Sequence, residues 1–175
     1  MVFKGFKKRS NKRYLNKLIS QRSVNVGDTK VKSLGVILCF DEVDDIELFR
    51  GLAAHLRIRP NKLKVIAFSS NGKEKANAWD LCFNPNDFGW NGTIKNVELK
   101  SFLDTEFDVL ISYYTEELLE LKLLTALSKS QFKVGILQTD KRLNDLIIKT
   151  DITEFNVFKE ELYKYLTILN KIKNE

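Results

Sequence analysis

Short apolar runs alternate along the chain with longer segments of helical period, most clearly across residues 107–138, FDVLISYYTEELLELKLLTALSKSQFKVGILQ. Residues 107–111 and 132–137 are too short for helices and rich in β-formers, the pattern of strands covered on both faces. Between them Thr115 stands where a helix N-cap belongs, with Glu116 and Glu117 against the positive end of the helix dipole. Leu118, Leu119, Leu121, Leu123, Leu124, Ala126 and Leu127 then wrap most of the helix in hydrocarbon, so it is expected to be buried on more than one side. Strand, crossover and strand make a βαβ unit, which is parallel and right-handed.

The same alternation continues on both sides of this unit. Residues 31–40 (VKSLGVILCF) read as the first strand, 63–69 as the second and 146–148 as the last. Helices are expected over 46–56, with Leu48, Phe49, Leu52, Ala53 and Leu56 inward, and over 97–103. Leu143 is placed at the start of a short helical turn, and Phe155, Phe158, Leu162, Leu166, Leu169 and Ile172 mark a long closing helix. Over 73–96 the period lapses and asparagines and aromatics accumulate. Asn91-Gly92 predicts a type I′ hairpin and 84–87 a second turn. Trp79, Phe83, Phe88 and Trp90 are expected to close the edge of the sheet; the alternative is that they stack on bases or sugars. The fold class is α/β, a single doubly wound, Rossmann-like and mostly parallel sheet of about five strands, preceded by a basic N-terminal helix.

Charge divides the chain differently. The first 32 residues hold ten basic side chains against one acid, Asp28, while the remainder holds 19 basic and 22 acidic. This separates a basic helical leader, 1–30, from a Rossmann-like domain, 31–175. In the leader Phe3, Phe6, Tyr14, Leu15, Leu18 and Ile19 share one broad face. Lys4, Lys7, Lys8, Arg9, Lys12, Arg13, Lys17 and Arg22 are the candidate nucleic-acid-binding residues, because a basic helix tipped with aromatics suits a phosphate backbone. The competing readings are a helix charged only for solubility, an anionic membrane surface, and an acidic protein partner.

Chemistry in such sheets gathers at the carboxyl ends of the strands. Those ends offer a ligand crevice of Asp41, Asp44, Ser69, Ser70, Asn71, Ser112, Tyr113, Tyr114 and Thr139. The acids after the first strand, through Asp45, occupy the place where phosphate-binding folds put a glycine-rich turn, and they are read as N-cap and dipole partners of the next helix, with a cation site as the alternative. No P-loop is present. The crevice has no histidine and no lysine paired with a clear acid, so a proton carrier near neutrality is missing and no catalytic residue is assigned. His55, the one histidine, is read as a surface or packing residue. Cys39 and Cys82 form no CxxC and point to a reducing, cytoplasmic setting; neither metal nor cofactor is implied. No apolar run reaches the roughly 20 residues of a membrane span.

The segments FDVLISYY, LELKLLTALSKSQFKVGIL, DLIIKT, CFNPNDFGWNGTIKN and NKRYLNKL together resemble a family of small uncharacterised proteins from flavobacteria and their relatives. The resemblance covers nearly the whole chain and implies a small cytoplasmic bacterial protein with no assigned activity. More distantly, the strand, leucine-rich helix and following KVGI strand are similar to the N-terminal Rossmann-like half of heptosyltransferase-type glycosyltransferases, a likeness of fold. The function these readings favour is a non-enzymatic binding module that docks on RNA or the ribosome through the leader. The alternatives are a small enzyme or a nucleotide or nucleotide-sugar binder using the crevice, and a protein-interaction scaffold or membrane-surface protein.

Overall fold

The computed structural model describes residues 2–24, 27–71 and 81–172. Its centre is β1 (Leu34–Cys39), whose six residues are all buried and which pairs in parallel on both sides. Its neighbours are β2 (Leu63–Phe68), in register through Val36 and Val65, and β4 (Val109–Tyr113), through Val36 and Ile111. Beyond these lie β3 (Cys82–Phe83) next to β2, then β5 (Phe132–Gly135) and β6 (Leu146–Ile147) beyond β4. Among the described residues all six strands are parallel, in the order β3-β2-β1-β4-β5-β6. Strand order reverses between β1 and β4, where doubly wound folds open their crevice.

The period-two alternation of β1 decides the two layers. Leu34, Val36 and Leu38 face α2 (Glu47–His55) and α5 (Phe155–Ile168), which bring Phe49, Leu52, Phe155, Phe158, Leu162 and Leu166 to one core. Ile37 and Cys39 face the other, with Leu99, Phe102 and Leu103 of α3 (Val97–Asp104) and Leu121, Leu123 and Leu124 of α4 (Leu119–Leu127). Gly35 is required on that side: a Cβ there would lie 2.5 Å from the ring of Phe107. The leucine-rich helix is covered twice, as its composition demands, because α1 (Val2–Gln21) packs over α4 and adds Leu15 and Ile19 to the same core.

Several expectations are corrected. The strand after Phe107 runs on to Tyr113 instead of ending at 111. Thr115 does not cap α4, which starts at Leu119 behind an extended Leu118 with no side-chain cap. The carboxylate of Glu42 takes the backbone N–H groups of Thr115 and Glu116 and holds that segment out of the helix. A sixth strand, Cys82–Phe83, lies in the aperiodic segment; two residues are too few to show an alternation. No helix forms at Leu143, which a turn at 141–142 carries into the core. The broad apolar face of the leader also divides: Leu15 and Ile19 are buried, whereas Phe3 is 79% and Phe6 56% exposed.

Other local readings hold. Asn84 and Asp87 form a reciprocal capping box around Pro85–Asp87, the turn expected there. Asn91 (φ 51°) and Gly92 (φ 68°) make the left-handed pair of a type I′ turn, with Phe88 and Ile94 bridged in antiparallel fashion. Phe83 and Phe88 close the sheet edge, but Trp90 is 47% exposed; Trp79 lies outside the described residues. Among the described residues, no helix is long and apolar enough to cross a membrane.

Candidate nucleic-acid interface

The inner face of α1 anchors it in two places. Asn11, a buried polar residue, donates from Nδ2 to the Gly89 carbonyl at 3.0 Å and accepts from the Gly92 N–H at 2.9 Å, so one amide ties the helix to both sides of the hairpin. Ser10 adds a hydroxyl bond to the Asn91 side chain and accepts the Asn91 N–H at 3.3 Å. Tyr14 packs so closely against the turn that a Cβ on Gly92 would meet its ring at 2.3 Å. At the other end Arg22 pairs with Asp145 at 2.5 Å and donates to the Arg142 carbonyl at 3.2 Å. Arg22 is therefore committed to the body of the domain.

The outer face has no such commitments. Lys4, Lys7, Lys8, Arg9, Lys12, Arg13 and Lys17 form no ion pair among the described residues, and all but the half-buried Lys7 are exposed. Phe6, Arg9, Ser10, Arg13, Tyr14 and Lys17 recur at helical spacing and form one wall of an open groove of about 620 Å³; the hairpin supplies the other wall with Trp90 and Asn91. Three aromatic rings and three cations thus line one surface. Trp90 was missed as a partner of the leader because 73 residues separate it from Lys17 and only the folded hairpin brings it there. The spacing of Phe6 and Tyr14, two turns apart with Arg9 and Arg13 between, was the available signal.

The strand-end crevice is arranged differently. Asp41 accepts bonds from the Ser70 N–H (3.3 Å), the Ser70 hydroxyl (3.1 Å) and the Ser69 hydroxyl (3.4 Å). Glu42 accepts from the Thr115 N–H (2.9 Å), the Glu116 N–H (3.3 Å) and the Thr115 hydroxyl. Of the acids read as helix partners, Asp45 does serve α2, accepting the Glu47 N–H at 2.9 Å; Asp41 and Glu42 instead bridge neighbouring strand ends. Asp41, Ser69 and Ser70 are thus brought together, while Asp44, Asn71 and Thr139 are exposed.

Ser112, Tyr113 and Tyr114 are turned into the two cores. The Ser112 hydroxyl shares a 2.9 Å bond with Thr125, and Tyr114 bonds Thr125 at 2.7 Å and the Leu121 carbonyl at 3.1 Å. Tyr113 donates to the Ile152 carbonyl at 2.8 Å, with Phe49, Phe155 and Phe158 edge-on around its ring. Burial, with help from Asp151, Glu154 and Glu42, pushes the Tyr113 phenol up to about 12, and burial raises Tyr114 as well. Burial also pushes the Cys39 thiol up to about 11 and raises that of Cys82, which keeps both protonated at neutral pH. His55 is exposed at the end of α2, its ring 4.9 Å from that of Tyr163. Among the described residues no three His, Cys, Asp or Glu side chains form a metal cage.

One ionisable residue was not anticipated. Lys133, in β5, is 4% exposed, and its Nζ donates to the Thr125 carbonyl at 2.7 Å and the Ala126 carbonyl at 3.4 Å, at the carboxyl end of α4. Burial and then the nearby Arg22 push it down to about 8, against the pull of Asp145. Read as one residue in an apolar strand, it carried no sign of this partner.

An open all-parallel sheet in this order, with helices on both faces, defines the protein as a Rossmann-like α/β domain. The chain belongs to the family of unknown function DUF6913, whose sequence model matches residues 7–169 and so takes in most of α1. No curated protein and no solved structure matches it.

Proposed function

We propose that this protein is a binding module that holds RNA, free or within the ribosome, against the outer face of α1. The observation that carries the reading is the set of seven cations from Lys4 to Lys17 that find no acid among the described residues, on a helix whose opposite face is bonded into the fold. Like charges at i and i+4, such as Lys8 with Lys12 and Arg9 with Arg13, oppose the helix by a few tenths of a kcal/mol per pair. A polyanion removes that repulsion. The anchored inner face means that α1 is presented in a fixed orientation, so little ordering entropy is lost on binding. A cytoplasmic setting, where RNA is at hand, belongs to this reading.

The strand-end crevice is the weaker candidate. The amides that a phosphate would use at the β1/β4 switch point already bind Glu42, and those after β2 bind Asp41. A nucleotide there would displace two carboxylates that are fixed by the fold.

Binding to RNA at graded salt concentrations tests the proposal. Log affinity is expected to fall linearly with log salt, by about 0.7 per phosphate contacted on a single strand. Reversing the charge of Lys7, Lys8, Arg9, Lys12 and Arg13 is expected to abolish binding while leaving the melting temperature unchanged, because the like-charge pairs remain like-charged. Absence of binding by the native protein at low salt would refute it.

A further inference from the structure

The groove beside α1 has a composition that electrostatics alone does not require. A surface built only to neutralise phosphates needs lysines and arginines, and exposed aromatic rings add nothing to it. Here Phe6 and Trp90 are 56% and 47% exposed, and with Tyr14 they stand among Arg9, Arg13 and Lys17 on the same surface. Exposed rings beside cations are the equipment of sites that stack unpaired bases while the backbone is held by charge.

Two structural details show how the rings are placed. The type I′ turn at Asn91 and Gly92 needs both residues in the left-handed region, and it delivers Trp90 to the rim of the groove directly before the turn. Asn11 and Ser10 then bond the hairpin to α1, and Tyr14 packs on Gly92 where a side chain would not fit. Trp90 is thereby fixed relative to the helix although it buries only half its surface. Along α1 the cations Arg9, Arg13 and Lys17 recur at about 6 Å intervals, one turn apart, on the groove side.

From this we infer that the groove between α1 and the Trp90 hairpin binds an unpaired stretch of nucleic acid, stacking bases on Trp90, Tyr14 and Phe6 while Arg9, Arg13 and Lys17 hold the phosphates. This rests on the RNA reading above and sharpens it. A duplex keeps its bases stacked on one another and offers only its backbone. The protein therefore prefers single strands over duplexes of the same length.

The test measures affinity of the intact protein for a short oligouridylate, an oligothymidylate of the same length, an RNA duplex and a polyglutamate peptide, with the wild type, with Trp90→Ala and Trp90→Phe, and with the charge-reversed leader. Stacking predicts that Trp90→Ala weakens oligouridylate binding about tenfold, leaves duplex binding unchanged, and that Trp90→Phe restores most of the loss. Equal melting temperatures show that the fold is kept. Oligouridylate binding indifferent to Trp90→Ala but lost on charge reversal would overturn the inference and leave the RNA reading standing. Loss of both RNA arms would remove both. Polyglutamate bound as tightly as oligouridylate, with the same dependence on Trp90, would overturn it in favour of an acidic protein partner. Oligothymidylate bound more tightly than oligouridylate would keep the base cradle and overturn its assignment to RNA.

Discussion

Lys133 shows how much one buried charge decides. Its depressed pKa means that the folded state sheds a proton near pH 8, whereas the unfolded chain keeps it until about 10.5. Below pH 8 both states are charged and the burial cost is fully present. Between the two values the unfolded state binds more protons, so stability rises with pH, and above both the difference vanishes. Lys133→Met removes the buried charge at similar volume. The variant is expected to be as stable as the wild type or more so at neutral pH, and to lose the rise across this window, which is on the order of 3 kcal/mol. Urea midpoints of both proteins at pH 7.5 and near pH 10.5 check this; a wild-type curve as flat as that of the variant would show that Lys133 is not the group responsible. The arginines differ in the same local way: Arg22, directly after α1, is paired with Asp145, while Arg9 and Arg13, within the helix, face the groove.

At the scale of elements, competition for backbone amides sets where α4 begins. Thr115 has the right chemistry for a cap and Glu116 and Glu117 suit a first turn, yet Glu42 binds two of the amides that would enter the helix. Charge-assisted bonds of this kind outweigh a neutral hydroxyl cap. Glu42→Ala should therefore release residues 115–118 to join α4, with Thr115 as its cap, at a net cost of about 1 kcal/mol. Backbone chemical shifts of those four residues report it; extended values in the variant would mean that β4 itself, not Glu42, holds them out. The pairing of α1 with α4 follows the same logic of shared surface, since a helix with this many leucines has apolar area left after the sheet is covered.

For the whole molecule, the segregation of charge and the doubling of helices on one face are the same fact. The leader carries the basic excess on its outer side because its inner side, Asn11, Leu15 and Ile19, is needed to cover α4 and the hairpin. A chain truncated before residue 25 is expected to expose the outer leucines of α4, self-associate and bind a hydrophobic dye at neutral pH. Light scattering and dye fluorescence measure this. A monodisperse truncated chain without dye binding would mean that the helix is an appendage and not part of the second layer.

The alternation of strands and helices, the central position of β1, the leucine helix and the basic leader were all legible in the chain, because burial on both faces and helical amphipathicity leave one-dimensional periods. The Asn-Gly turn was legible for a similar reason: few residue pairs tolerate two positive φ angles. Three features were decided only in three dimensions. Cys82–Phe83 is too short for a period. Glu42 meets Thr115 from 73 residues away, and Gly92 of the Trp90 hairpin meets Tyr14 from 78. Local sequence records which face a residue turns inward, but pairings between distant residues arise only when the sheet order and the packing of α1 bring their elements side by side.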